Sequence, residues 1–400
     1  MTNPLLNGVR ILDLTRLLPG PFCTQYLAQL GAEVIKIEDP DGGDYARALS
    51  PELFAVVNRG KQSVTLDLRQ AEDVERFYAL VAQADVVVES FRPGVMDRLG
   101  CGYDRLKTLK PALVYVALTG YGQSGPLREA AGHDLNYLAL SGALDQIGAA
   151  GGAPAMNNLQ VADLAGGALT CAVGLLAALF GARASGQGSF VDSAMLDGSL
   201  ALQPMALATL RSQGRTQPRG SDMLTGALPN YRSYKCRDGR YLAVGALEPK
   251  FFLRLVRALQ QTIPIPGLRG GGGGGASSSR AADKSSATKA VPGRLDKLMD
   301  DPARARRWLR PIHWGLASLF RLRSRDYWLK VLADADACTT PVLKLEEALG
   351  SQQIIERGLR ESAGGQTAFA CPIMLDGQRP APLADAPELG ADNGLLHTLS

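Results

Sequence analysis

The chain has 400 residues, 46% of them hydrophobic, and a formal net charge of +4. That length exceeds one ordinary domain and predicts two lobes with ample core. No basic stripe accompanies the small charge, which excludes a nucleic-acid reader and suits a small anionic ligand. The six cysteines form no CxxC, so neither a metal site nor a disulfide framework is expected, and a reducing compartment is.

The first eight residues lack the basic and apolar regions of a signal peptide. Val9–Leu14 reads as a strand, Gly20–Leu30 as a helix and Ala32–Ile37 as a second strand. Ser63–Leu68 reads as a half-exposed strand and Ala71–Gln83 as a helix with one charged face. Asp85–Glu89 and Ala112–Leu118 have the continuous apolar character of buried parallel strands. This alternation predicts a doubly wound α/β sheet. Its ligand would lie beyond the carboxyl ends of the strands, near Thr15-Arg16, Glu38-Asp39, Glu89–Arg92 and Leu118–Gly120. No GxGxxG opens the first helix and no P-loop occurs, so no nicotinamide, flavin or other resident cofactor is expected.

The polar run Thr119–Pro126 leads into Ala131-Gly-His-Asp-Leu-Asn-Tyr137. His133 is one of only three histidines, with His313 and His397, and it stands where a loop enters a helix. An imidazole titrating near ~6.5 either takes a proton from a substrate there or simply caps the helix. Residues 163–181 read as a small-residue helix. Asp163 at its start is either a helix cap or a functional carboxylate. Gly166 and Gly167 each cost roughly 1 kcal/mol of helix stability against Ala, so something is expected to pack very close to them. The longest apolar run, Ala168–Gly181, is about 14 residues and falls short of the ~20 that span a bilayer, so no membrane partner is expected.

Tyr231–Leu247 reads as a hairpin turning at Asp238-Gly239, and Glu248-Pro249 starts a helix over Lys250–Leu259. Residues 262–311, with the Gly270–Gly275 run and the basic cluster Arg304, Arg306, Arg307 and Arg310, read as a flexible solvated insertion. Order is expected to resume near Leu316, with a helix over Asp326–Ala333 and an extended tail after Cys371. The predicted division is a large domain over 1–215, a small domain over 216–330, and a segment over 331–400 that returns to the large domain.

Several segments together resemble the family III CoA-transferase superfamily (CaiB/BaiF type), and within it the α-methylacyl-CoA racemases. They are Leu12–Pro21, Leu30–Glu38, Asn58–Lys61 with Leu66–Leu68, Ala84–Val95, Gly120–Pro126, Ala131–Tyr137, Asp163–Gly167 and Gly245–Pro249. The resemblance covers roughly residues 5–260 and 315–360, and 262–311 has no counterpart in it. It implies a Rossmann-like large domain, a smaller α+β domain and an interlocked homodimer. It also implies an isomerase that interconverts (2R)- and (2S)-2-methylacyl-CoA without a cofactor, its acyl-CoA being substrate. The same scaffold also implies a second reading, CoA transfer between carboxylic acids through an aspartyl-CoA intermediate on Asp163. A third is CoA-thioester binding without turnover. The cytosol is the default location, with mitochondrion or peroxisome as alternatives in a eukaryotic source.

The resemblance assigns His133 and Asp163 as acid/base groups on the two faces of a planar enolate. Such an Asp must stay protonated near neutral pH, which an apolar setting or a nearby carboxylate would achieve. Glu248 either orients His133 or caps the following helix. Backbone N–H groups after Gly132 are expected at the enolate oxygen, with Asp134 capping that helix. Carried over for CoA are Leu66, Asp67, Leu68, Arg69, Ser90, Phe91, Arg92, Arg98, Gly132, Asp134 and, from the small lobe, Tyr231. Arg69, Arg92 and Arg98 would meet phosphates, or are ordinary surface residues. Phe91 would flank the adenine. Asp39 stands where racemases of the family often carry a basic residue.

Overall fold

The computed structural model describes residues 5–262 and 302–397. The chain divides into a larger unit, Met1–Asp145, Ala155–Gly214 and Glu347–Ser400, and a smaller one, Gln146–Pro154 and Arg215–Glu346.

The larger unit is built on six parallel strands: β1 (Arg10–Leu14), β2 (Glu33–Glu38), β3 (Gln62–Thr65), β4 (Val86–Glu89), β5 (Val114–Thr119) and β6 (Phe190–Ala194). Their order is β3-β2-β1-β4-β5-β6, so the sheet reverses direction of winding between β1 and β4. A ligand crevice opens at such a switch point. Alternate residues of each strand face opposite layers. Ile11, Val34, Val86, Val88, Val116 and Leu118 bury one face against the Pro19–Gln29 helix and the long helix that begins at Ala162. Leu12, Leu14, Ile35, Val87, Tyr115 and Ala117 bury the other, with Phe77 and Leu80 of the Ala71–Ala82 helix.

The long helix runs unbroken over Ala162–Ser185, 24 residues with a mean hydropathy of 2.0 in its most apolar window, longer than the apolar run alone suggested. By length and composition it would cross a bilayer, but Ala162, Ala168, Cys171, Leu175 and Leu179 pack into the sheet core. The close neighbour expected at Gly166 and Gly167 is the Met195–Ala201 helix: a Cβ on Gly166 would stand 2.8 Å from the Ser199 backbone nitrogen and 3.1 Å from the Met195 carbonyl oxygen.

After Glu347 the chain returns to the larger unit. Its hairpin, β10 (Arg360–Ala363) with β11 (Gln366–Phe369), offers Glu361 to the buried Arg59 guanidinium at 2.5 Å. Further on, the Asp392 and Asn393 side chains accept hydrogen bonds from the Ser63 and Thr65 N–H groups, each at 2.8 Å. The tail is therefore anchored along the open edge of β3, and it ends in a short 3-10 turn over Asn393–His397.

The smaller unit carries the antiparallel sheet β7 (Tyr231–Lys235), β8 (Tyr241–Gly245) and β9 (Thr339–Pro341). Because β9 pairs with β8, this unit extends through Glu346 and the return begins at Glu347, not at 331. Leu242, Val244, Leu255, Phe320 and Trp328 form its core. A helix occupies Pro302–Phe320, so the last part of the expected flexible insertion is helical. Its sequence is rich in Ala, Leu and Arg, good helix formers, and its end is held by burial of Leu316 and Phe320. The Gly270–Gly275 run and the rest of that insertion through 301 lie outside the described residues.

Candidate active site

Beyond β5, Thr119 Oγ1 accepts the Gly122 N–H at 3.0 Å and turns the chain back over the sheet. The loop then descends to Gly132, whose carbonyl accepts the Tyr137 hydroxyl at 2.6 Å. A Cβ at Gly132 would stand 2.7 Å from the Tyr121 hydroxyl and 2.8 Å from Tyr137 Cε1, so only glycine fits between these two rings. His133 follows, extended and exposed, as the residue that caps the Asp134–Leu140 helix. Asn136 Oδ1 accepts the His133 N–H at 3.1 Å, and the His133 carbonyl accepts Asn136 N–H at 2.8 Å. The capping position thus belongs to His133, not to Asp134.

Asp134 does something else. Its Oδ1 accepts the backbone N–H of Ala162 at 2.7 Å and of Asp163 at 3.1 Å. One carboxylate therefore clasps the start of the long helix to the residue after His133, and so brings the His133 and Asp163 backbones together. Asp163 lies in the first turn of a π-helical segment, Ala162–Leu169, with Val161 rather than Asp163 in the capping position. Such segments recur at functional sites. Burial raises the Asp163 carboxyl to about 7, with repulsion from Asp134 adding to it. The two causes expected for a protonated Asp are both present. The N–H groups of His133 and Asn136 are already engaged, which narrows the donors expected for an enolate oxygen.

A second feature is a cleft of about 250 Å³ at the carboxyl ends of β1 to β4. Leu66, Asp67, Leu68, Arg69 and Phe91 line it, as do Arg16 and Asp39. Ser90, Arg92 and Arg98 do not line it. Ser90 Oγ instead accepts the Arg16 N–H at 3.3 Å and braces the β1 turn, while Arg92 and Arg98 are exposed. The sequence placed Arg16 at a strand end near the ligand but assigned it no CoA contact, because it belongs to no phosphate-loop pattern. Its guanidinium lies 4.8 Å from the Tyr45 ring centre and 5.0 Å from that of Phe91, and it donates to the Tyr45 hydroxyl at 2.8 Å.

The turn that carries Arg16 is held from beneath. Leu17 has a φ of 64°, strained for a side chain of its size, and its N–H is fixed by Asp44 Oδ1 at 2.9 Å. Below it lie two fully buried lysines. Lys61 Nζ bonds Asp13 Oδ2 at 2.9 Å, the Pro21 carbonyl at 3.0 Å and Asn58 Oδ1 at 2.8 Å. Lys36 Nζ bonds the Thr15 carbonyl at 2.8 Å and pairs with Asp44 at 2.9 Å. Burial alone would raise the Asp13 carboxyl, but Lys61, Lys36 and two threonine hydroxyls outweigh it and hold it far below the carboxylate range.

Glu89 ends β4 next to the cleft and is 5% exposed. Burial pushes its carboxyl up to about 8, against the Phe91 N–H it accepts at 2.6 Å and with repulsion from Asp97. The native state therefore holds a proton that the unfolded chain releases above about pH 4.5. This contribution to stability is full below that pH and falls as pH rises toward about 8. Glu89→Gln is expected to flatten the pH dependence, on the order of 3 kcal/mol between about pH 5 and about pH 8, in urea melts at the two ends.

Tyr231 and Glu248 lie in the smaller unit. Tyr231 opens β7, paired with Gly245. Glu248 is exposed, and its carbonyl accepts the Phe251 and Phe252 N–H groups at 3.0 and 3.2 Å, at the start of the Pro249–Thr262 helix. Among the described residues no group of three or more His, Cys, Asp or Glu is placed to hold a metal ion.

A parallel sheet wound in this order, with a cleft at the carboxyl ends of its strands and a buried aspartate in the first turn of a helix, is a doubly wound α/β fold. The chain belongs to the CoA-transferase family III, whose family model matches residues 6–266 and 288–393. The stretch without counterpart thus narrows to 267–287. The chain is 36% identical to the alpha-methylacyl-CoA racemase of Mus musculus over 379 residues, 95% of this chain and 86% of that one. It is 30% identical to the acetyl-CoA:oxalate CoA-transferase of Acetobacter aceti over 398 residues, 98% and 94% of the two. A crystal structure of a CAIB/BAIF family protein from Brucella suis matches all of both chains, with a TM-score of 0.81 and 25% identity.

Proposed function

We propose that this enzyme racemises 2-methylacyl-CoA thioesters by proton transfer through an enolate. The observation that carries the reading is the Asp134 clasp, which joins the His133 backbone to an Asp163 carboxyl titrating at about 7. Neutral His133 removes the C2 proton on one face while protonated Asp163 returns one on the other; in the reverse direction the roles exchange. The Asp163 carboxyl, raised by burial to about 7, has a proton affinity near neutral pH, where such transfers are most efficient. The N–H groups of the first helical turn that are not already engaged would stabilise the enolate oxygen. The nucleotide would occupy the β1–β4 cleft, with Phe91 against the adenine and Arg16, Arg92 and Arg98 available to phosphates. The relatives named racemase support this reading.

A second copy of the chain would complete the enzyme. Val173 and Phe180 of the long helix, with Leu200 and Leu207 beyond it, are 55 to 80% exposed in the single chain, apolar side chains that a second copy would cover. Six free thiols support a cytosolic, reducing setting.

CoA transfer is the second reading, favoured by the transferase relatives and by the same carboxylate. Asp163 would attack the thioester carbonyl and expel the CoA thiolate, leaving a mixed anhydride; the thiolate would then attack the Asp163 acyl carbon and release the first acid. Proton NMR with (2R)-2-methylacyl-CoA in deuterium oxide separates the two. Racemisation predicts loss of the C2 proton signal without an acceptor acid, slowed at least about 100-fold in His133→Ala. A bound thioester that keeps its C2 proton would sink the racemase reading and direct the search to acceptor acids and an Asp163 adduct.

A further inference from the structure

The charges of the β1–β4 cleft are segregated. On the β1 and β4 side stands Arg16, stacked between Tyr45 and Phe91 and paired with no carboxylate among the described residues. The β2 and β3 side holds one cation, Arg69, flanked by two carboxylates: Nε bonds Asp67 Oδ1 at 2.6 Å and a terminal nitrogen reaches Asp39 Oδ2 at 3.5 Å. Asp41 adds a third negative charge to its surroundings. Arg47, the next cation along this side, is committed to Glu38 through two bonds of 2.9 and 2.8 Å. Three carboxylates against one guanidinium leave this side net negative. At the end of the second strand of such a sheet, an acidic side chain accepts hydrogen bonds from ribose hydroxyls, whereas a free arginine donates to a ribose phosphate. Asp39 occupies that position, and the arginine beside it is not free.

We propose that Asp39 sets the nucleotide preference of this cleft, so that the ribose 3′-phosphate of a CoA thioester adds little to binding and a 3′-dephospho nucleotide is accepted nearly as well. The inference rests on the CoA-thioester reading above, though on neither of its two chemistries. Asp39 acts twice: it occupies Arg69, and its charge opposes a phosphate dianion entering beside it. Selectivity is a difference of affinities, and here it is lowered by a repulsive element rather than raised by an attractive one. The diphosphate, common to both nucleotides, meets Arg16 at the opposite side and anchors either.

Titration calorimetry of the full chain with CoA and with 3′-dephospho-CoA tests this without catalysis. Wild type is expected to bind the two within about fivefold of each other. Asp39→Ala and the near-isosteric Asp39→Asn are both expected to tighten CoA by about fivefold or more and to leave 3′-dephospho-CoA no tighter. Asp39 is partly exposed, its one ion pair among the described residues is the long one to Arg69, and its Oδ1 accepts the Asp41 N–H at 2.9 Å, an acceptor that Asp39→Asn keeps. A wild-type preference for CoA beyond about fivefold, or variants that shift both ligands alike, would overturn the proposal while leaving the CoA reading standing. If neither nucleotide binds wild type, the CoA reading itself falls, and the proposal with it.

Discussion

Asp163→Asn is expected to lower C2 proton exchange by about a thousandfold or more while leaving the fold intact. The amide matches the carboxyl in shape but neither takes nor returns a proton. Because burial raises the Asp163 carboxyl to about 7, racemisation should respond to pH in that range. Inversion needs one proton shared by the His133–Asp163 pair, and the two enantiomers carry the same protons, so kcat/KM should vary with pH alike in both directions. Its raised carboxyl also means that the folded chain loses stability as pH climbs from the ordinary carboxylate range toward about 7. The amide variant should therefore be slower and yet slightly more stable than wild type at pH above 7, a trade common at working residues. Rates measured for both enantiomers across pH, beside melts of the same samples, check this. Profiles with no limb near 7, or an amide variant that racemises as fast as wild type, would remove Asp163 from its alternating role. The same substitution abolishes transfer under the second reading, so loss of the C2 proton signal without an acceptor acid is the discriminating result.

Lys61→Met carries the largest expected cost in stability. It leaves Asp13, 0% exposed, without the ammonium 2.9 Å from its Oδ2. Removing one partner of a buried pair costs about 3–5 kcal/mol, since the remaining charge is stranded. Urea denaturation should show that loss, and a double variant adding Asp13→Asn should recover part of it. A loss below about 1 kcal/mol would mean that water or Lys36 replaces Lys61. For Asp13 the direction with pH is opposite to that of Asp163. Its carboxyl is depressed in the fold, so its contribution is full above the ordinary carboxylate range and is lost as pH falls below it. The Pro21 carbonyl shares Lys61 Nζ, and the Thr15 side chain shares Asp13, so the variant should also loosen the turn that presents Arg16 to the cleft.

The sheet was largely legible in the sequence because β1, β2, β4 and β5 are buried on both faces and read as apolar runs. β6 escaped because it is an edge strand carrying Asp192 and Ser193 between Val191 and Ala194, a pattern without an apolar run. The hairpin of β10 and β11 escaped for a similar reason: β10 alternates exposed and half-buried residues and β11 is exposed but for Ala368, so neither carries an apolar run. At the site, the residue types of His133 and Asp163 and the glycines beside them were readable from motif and spacing. What Asp134 does was not, since its partners lie 28 and 29 residues away and form only once the long helix docks. Ser90 was read as a ligand contact, yet its hydroxyl supports a turn 74 residues earlier. The proton-holding burial of Glu89 is likewise a property of packing, invisible in a strand that simply ends in an acid.

The anchoring of the tail along β3 has a consequence for synthesis. Ser63, Thr65 and Arg59 wait for Asp392, Asn393 and Glu361, partners made more than 300 residues later. A ribosome adding about 5–20 residues each second holds the parallel sheet with one edge bare for many seconds. The nascent lobe is thus an open template for strand pairing until those partners are made. The segment carrying Asp392 and Asn393 acts as a closing seam, and the whole intervening smaller unit must be made before that seam is drawn.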